Sequence, residues 1–357
     1  MMPIPTIVSV QVGMPREIPL LPDDPAPSGP RPATWRSAIY KRPVSGPVHV
    51  GRTTVSGDGQ ADLRFHGGED RPILAYCARA GVHYVDTTGE QSFVARAVLR
   101  YRATAEASGA CVVPAMAYEI ALADWAAHIA SETGDGPVSA ISICYGLRSP
   151  GGPFASRGTM RSALAQFAGG DAMQFVDGAL VRELAAEKVR TFEIETLGER
   201  AEARTCVSFP GPEAIVVPAH TGAQTVRTFM PVGGAFLLHR GRALVPGAAR
   251  IAGRLAGRLI ARAPEGPDEG ARARTGFEII VEVERGRATS VLRVVGHDPY
   301  GLTAEIQALA SERAVTGAVT ARGVVAPSVA FEPRSSLAAL RAVGVSLRPK
   351  SDGAARE

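Results

Sequence analysis

The chain has 357 residues, 45% of them apolar and 21% charged, with 39 basic against 35 acidic side chains and a formal net charge of +4. That balance suits a folded protein, of two domains by length, and excludes a largely disordered one. No run of about 18 residues is free of charge, so no membrane span is expected. The positive charge is almost all arginine scattered among acids, with lysine only at Lys41, Lys188 and Lys350. Nucleic-acid binding, which needs clustered cations, is therefore not expected.

Met1 to Val12 offers no basic segment followed by a long apolar one. No signal peptide is expected, and the location expected is cytoplasmic. The first 75 residues are turn-rich, and Pro22 to Pro32 reads as a loop. Short extended runs surround it at Ile7–Val12, Ser37–Ile39 and Val48–Val50. Beyond Tyr76, helical and strand patterns alternate. Val82–Asp86 reads as a strand. Ser92 to Ser108 puts Val94, Ala97, Val98, Tyr101 and Ala105 on one helical face, with Gly109 as its stop. Ala110–Pro114 reads as a strand, Glu119–Ser131 as a helix and Val138–Tyr145 as a buried strand. This alternation predicts an α/β sheet.

Arg250, Arg254, Arg258 and Arg262 recur every fourth residue, with Ile251, Leu255 and Leu259 on another face. That pattern leaves two readings open: peripheral contact with an anionic membrane or acidic partner, or a solvated face on a docked helix. Phe277–Val283 alternates apolar and acidic residues and turns at Arg285-Gly286 into Thr289–Val295, a hairpin with one solvated face. Thr303 is expected to cap a helix running to Val315, stopped by Gly317. The four cysteines are each more than 30 residues from the next, and the histidines are dispersed. Buried reduced thiols and no metal site are expected.

Two family resemblances cover most of the chain. Val12-Gly13-Met14-Pro15-Arg16-Glu17, Ile39 to Val48, Gly57 to Asp62 and His66-Gly67-Gly68-Glu69-Asp70 resemble the opening half of a MOSC domain. From Cys77 onward the chain resembles the saccharopine dehydrogenase-like oxidoreductases, including the trans-acting enoyl reductase branch. The matching runs are Ala80 to Glu90, Ala105 to Gly109, Val113 to Asp124, Ser156 to Ala163 and Asp298 to Ala304.

The resemblances imply a chimera. Residues 1–76 would be a β-rich partial MOSC segment and 77–145 the remnant of a Rossmann-like dinucleotide-binding domain. Residues 146–300 would be an α+β substrate or dimerisation domain with an antiparallel sheet, and 301–345 helices returning to the first sheet. A disordered tail would cover 346–357. The family's cofactor domain opens with a Gly-rich turn, which nothing before Cys77 supplies.

The implied function is hydride transfer between NADP or NAD and an imine, carbonyl or enoyl substrate, by a small-molecule enzyme that forms a homodimer. MOSC-type molybdenum-cofactor or sulfur-carrier activity and a non-catalytic chimera are the alternatives. Asp86, Thr87, Thr88, Gly89 and Glu90 lie past a strand end, where cofactors bind in such sheets. Helix capping by Thr88 or Gly89 is the plainer reading.

Tyr118, Glu119 and Asp124 follow the next strand and are the catalytic candidates, Tyr118 or Glu119 as proton donor, against a Glu119 that simply suits the dipole at a helix N-terminus. In their loop, Tyr-Glu-Ile-Ala-Leu-Ala-Asp replaces the family's Phe-Asp-Ser-Val-Pro-Ser-Asp. Arg157, Thr159 and Arg161, at a helix start, are candidates for binding a substrate anion, against ordinary capping by Ser156 or Thr159.

Overall fold

The computed structural model describes residues 7–10, 34–35, 53–54, 72–149, 156–157, 159–160, 172–195, 201–245, 247–248, 251 and 266–349. The four MOSC-like runs, Arg161 and the arginines at 250, 254, 258 and 262 lie outside these residues.

Three short strands come first, β1 (Ile7–Val10), β2 (Thr34–Trp35) and β3 (Thr53–Thr54). Helix α1 (Pro72–Ala80) then leads into β4 (His83–Asp86), α2 (Gln91–Ser108), β5 (Cys111–Val113) and α3 (Tyr118–Glu132). The domain junction expected at 76/77 therefore falls inside α1. Leu74, Cys77 and Ala78 on both sides of it are buried in one core, so packing continues across the expected boundary.

The first sheet has the order β1-β4-β5-β14, where β14 is Gly323–Val324, and every pair in it is parallel. β1 enters in register, Ile7 opposite His83 and Val10 opposite Asp86. In a doubly wound sheet of order 3-2-1-4-5-6, the first strand takes that place beside the fourth. A strand from the segment expected to be foreign to this sheet thus joins it. Helix α2 stops where expected, because Gly109 adopts φ 81° and glycine alone reaches that region without strain. Its Phe93, Val94, Ala97 and Ala105 are buried.

The second sheet is mostly antiparallel. Its main path is β15-β13-β12-β6-β11-β10-β9, with β7 (Met173–Val176) pairing β11 and β8 (Ala179–Arg182). The path strands are β6 (Ala140–Arg148), β9 (Val189–Ile194), β10 (Glu202–Phe209), β11 (Thr225–Pro231), β12 (Gly276–Arg285), β13 (Ala288–His297) and β15 (Ser346–Pro349). The tail expected to be disordered from 346 is ordered at its start, since β15 pairs antiparallel with β13 through Leu347 and Val294.

The hairpin β12–β13 forms as its pattern predicts, with Gly286 at φ 57° in the turn. Its acidic face is not simply solvated. Glu278 is 1% exposed and pairs with Arg293, and Arg190 of β9 reaches Glu282 at 2.6 Å and Glu284 at 3.1 Å. Aliphatic side chains cover the other face.

Two short helices, α4 (Glu213–Val216) and α5 (Pro218–Thr221), connect β10 to β11. Helix α6 (Ala235–Arg240) follows β11, and α7 (Glu269–Arg274) precedes β12. Helix α8 (Pro299–Val315) returns to the parallel sheet, and α9 (Pro327–Ala330) and α10 (Pro333–Ala339) flank α3. Asp298, not Thr303, caps α8; its side chain accepts from Gly301 N at 2.9 Å, while the Thr303 hydroxyl donates to Pro299 O. Helix α3 lies centrally, and Ile120 to Ala127 are all buried. Its alanines let sheet and helices approach from several sides. The fold is thus mixed α/β: a Rossmann-like parallel sheet and a larger, mostly antiparallel one sharing a core around α3.

Candidate functional site

The carboxyl ends of β4 and β5 form one wall. Asp86 ends β4 and is 2% exposed. Its Oδ2 accepts from the Tyr84 hydroxyl at 2.6 Å, and its Oδ1 accepts from the backbone N–H of Thr88 and Ala115, each at 3.0 Å. The carboxylate is occupied by its own chain and ties together the loops after both strands. The same ties hold Ala115 at φ 64°, a left-handed conformation costly for alanine.

Thr87 and Gly89 are half-buried and Thr88 is buried. The N-cap of α2 is Glu90, rather than Thr88 or Gly89; its carbonyl accepts from Phe93 N at 3.0 Å and Val94 N at 3.2 Å. The next residue, Gln91, was not singled out in the sequence. Its amide donates to Met173 O at 2.7 Å and Gly211 O at 2.8 Å, and its oxygen accepts from Met173 N at 2.8 Å. It stitches the first sheet's helix to the second domain.

Tyr118 and Glu119 open α3. The Tyr118 backbone N–H donates to the Thr303 hydroxyl at 3.2 Å, and its ring packs on Phe277 with centroids 4.9 Å apart. Both residues keep part of their surface. Desolvation nevertheless pushes the Glu119 carboxyl up to about 7, against a backbone hydrogen bond that lowers it. Desolvation, followed by the nearby Glu119 and Tyr300, holds Tyr118 well above the usual phenol range, so it is a neutral donor.

A second pair faces them. The Tyr145 hydroxyl of β6 donates to Glu213 Oε1, at the start of α4. Glu213 is 1% exposed and its Oε2 has no partner. Burial pushes its pKa to about 7, opposed by the bond from Tyr145 and reinforced by the charges of Glu119 and Asp124. Tyr145 is itself raised by desolvation and by Glu213. Two carboxyls poised near neutrality thus stand among two tyrosines that hold their protons.

Asp124 lies elsewhere. It is fully buried on α3, accepting from Ser328 N at 2.7 Å and bonded to His220 Nε2 at 2.6 Å. At Ser156, the backbone N–H donates to the Tyr300 hydroxyl at 2.8 Å, and Ser156 Oγ accepts from Thr159 N at 3.1 Å. Arg157 is half-buried and Thr159 exposed beside them. This is the capping arrangement, and through Tyr300 it abuts the Tyr118 site.

All four cysteines are buried and free, and folding brings Cys144 and Cys206 to 3.6 Å between sulfurs. Among the described residues no three His, Cys, Asp or Glu side chains converge to hold a metal ion, and no helix is long and apolar enough to cross a membrane.

No protein-family model and no curated protein matches the chain. Solved structures do. The chain is similar to apo saccharopine dehydrogenase (L-Glu forming) from Saccharomyces cerevisiae at 11% identity and a TM-score of 0.46, covering 78% of this chain and 82% of that one. It is also similar to GenD2 from gentamicin A biosynthesis, solved in complex with NAD, at 10% identity and a TM-score of 0.27, covering 78% of this chain and 75% of that one.

Proposed function

We propose that the protein is an NAD(P)-dependent oxidoreductase of the saccharopine dehydrogenase-like class that reduces an imine, carbonyl or enoyl bond of a small molecule. The observation that carries this reading is the Tyr118–Glu119 and Tyr145–Glu213 cluster beside the carboxyl edge of a parallel sheet, where such sheets bind ligands. An acid with a pKa near 7 can give a proton at neutral pH and regain it.

The residues present fit the nicotinamide end of a dinucleotide and not its pyrophosphate. Thr87, Thr88, Gly89 and Glu90 stand past β4, and a Cβ at Gly89 would meet nothing, so that edge is roomy. The run after β1, Gln11-Val12-Gly13-Met14-Pro15-Arg16, has one glycine and a proline where a phosphate-binding turn needs several glycines. Asp86, a position suited to a ribose contact, is consumed by Tyr84, Thr88 and Ala115. When bound, nicotinamide supplies hydride chemistry. The chain's own part is the proton: Glu119 holds it at the cleft, Tyr118 orients the acceptor atom, and Glu213 keeps the Tyr145 hydroxyl fixed. Arg157 and Thr159, beside Tyr300, would steer a substrate anion.

Titrating the full chain with NADPH and NADH tests the reading through nicotinamide fluorescence and melting temperature. Saturable binding with a raised melting temperature is expected. A cooperative melt that neither cofactor shifts would overturn it.

A further inference from the structure

His220 stands between a carboxyl and a second imidazole. Its Nε2 is 2.6 Å from Asp124 Oδ1, and its Nδ1 is 3.2 Å from His128 Nδ1. Asp124 is fully buried, and its other oxygen accepts from Ser328 N. His128 turns its own Nε2 toward Glu132 Oε1 at 3.3 Å. The row Asp124–His220–His128–Glu132 thus has three contacts, each of which needs one proton between its two atoms. Two neutral imidazoles supply only two protons for these three contacts, so one lone pair would face another along the row, at the cost of an unsatisfied group.

We infer that the third proton sits on His220, making it an imidazolium clamp that donates to Asp124 and His128 of α3, and that it is a positioning residue for Glu213. The segment it holds runs from α4 through Val217 into α5, seven residues from the Glu213 carboxyl, and both short helices pack on α3. The clamp therefore fixes the spacing between the carboxyl on α4 and Glu119 at the head of α3. The positioning role rests on the oxidoreductase reading above; the imidazolium does not.

Other charged groups nearby support the assignment. Arg334 of α10 pairs with Glu132 at 3.2 Å, behind His128. Glu332 is spent capping α10, accepting from Arg334 N and Ser335 N. Glu213 on α4 interacts with Asp124 through charge alone. A cavity of about 370 Å³, lined by His128, Glu132, Ser328, Glu332 and Arg334, brings solvent to the outer ring. Burial pulls the His220 imidazole down, but the charge and hydrogen bond of Asp124 outweigh it and leave it above 6.5.

The test is imidazole ¹⁵N NMR of the full chain across pH, without cofactor or substrate. Both His220 nitrogens are expected to be protonated at pH 7 and to lose one proton only above the ordinary histidine range. A neutral single-tautomer pattern at pH 7 would overturn the clamp. The second measurement is the Glu213 carboxyl titration in His220→Gln. Releasing the segment admits water, so the midpoint is expected to fall by about one pH unit, tenfold in acid strength. An unmoved midpoint in a folded variant would overturn the positioning role. Should His220→Gln not fold, the wild-type spectrum still decides the clamp. Neither readout uses NAD(P), so failure here is separate from failure of the oxidoreductase reading.

Discussion

Asp86 and Glu213 are both almost fully buried carboxyls near the same sheet edge, yet they are built for different work. Asp86 accepts three hydrogen bonds from its own chain. Glu213 accepts one and leaves an oxygen unpartnered. Burial alone does not make an acid–base group: a carboxyl held by several donors serves as a strut, while desolvation pushes one with an unpartnered oxygen toward neutrality.

Removing the strut should have the largest effect. Asp86→Ala removes the acceptor of the Tyr84 hydroxyl and of two backbone N–H groups, and bonds to a charged acceptor are worth about 1.5–3 kcal/mol each. A stability loss of roughly 4 kcal/mol is expected in urea unfolding. A loss under about 1 kcal/mol would dissolve the contrast between the two carboxyls.

Glu213 sharpens the comparison through pH. Its folded pKa of about 7 lies above its ordinary 4.5. The native state therefore favours the protonated form; this contribution is full below about pH 4.5 and is lost as pH rises through 7. On the order of 3 kcal/mol should disappear across that window, and Glu213→Gln should flatten the slope. Equal slopes in wild type and variant would place the titration elsewhere. With a substrate in hand, Glu119→Gln should lower kcat about 10²–10⁴-fold and remove a limb near pH 7 from the rate profile.

Much of this was legible in the sequence, and the reasons for the rest are physical. The run Val82–Asp86 and the start of α3 announce themselves by local periodicity, so Asp86 and Glu119 could be placed at strand and helix ends. Partnerships across long separations could not be read. Tyr145 and Glu213 are 68 residues apart, and Asp124 and His220 are 96 apart. One signal was available: Glu213 follows Pro210-Gly211-Pro212 and precedes Ala214 to Val217, an isolated acid in an apolar run. Ile7–Val10 is too short to declare its partner, so its place beside β4 emerges only from the register. In the sequence Asp124 groups with Tyr118 and Glu119 because all three follow β5, but its place on α3 turns it toward His220 instead.

Smaller effects should follow at the edges of the site. Tyr145→Phe removes a bond that lowers Glu213, so the Glu213 midpoint should rise above 7 while the fold persists; a fall would mean that water replaces the hydroxyl. Ala115→Gly should be nearly neutral or stabilising, by up to about 1 kcal/mol, because glycine relieves the positive φ while costing entropy in the unfolded chain. A clear destabilisation would show that the methyl group's packing matters more than the backbone conformation Asp86 imposes.

The most direct measurement is the titration of the glutamate carboxyls by ¹³C NMR in the full chain, assigned with Glu119→Gln and Glu213→Gln. Two glutamates with midpoints near 7, each lost in its own variant, are the expected result. Midpoints for both near 4.5 would leave the cleft without a proton donor at neutral pH and would contradict the proposed chemistry.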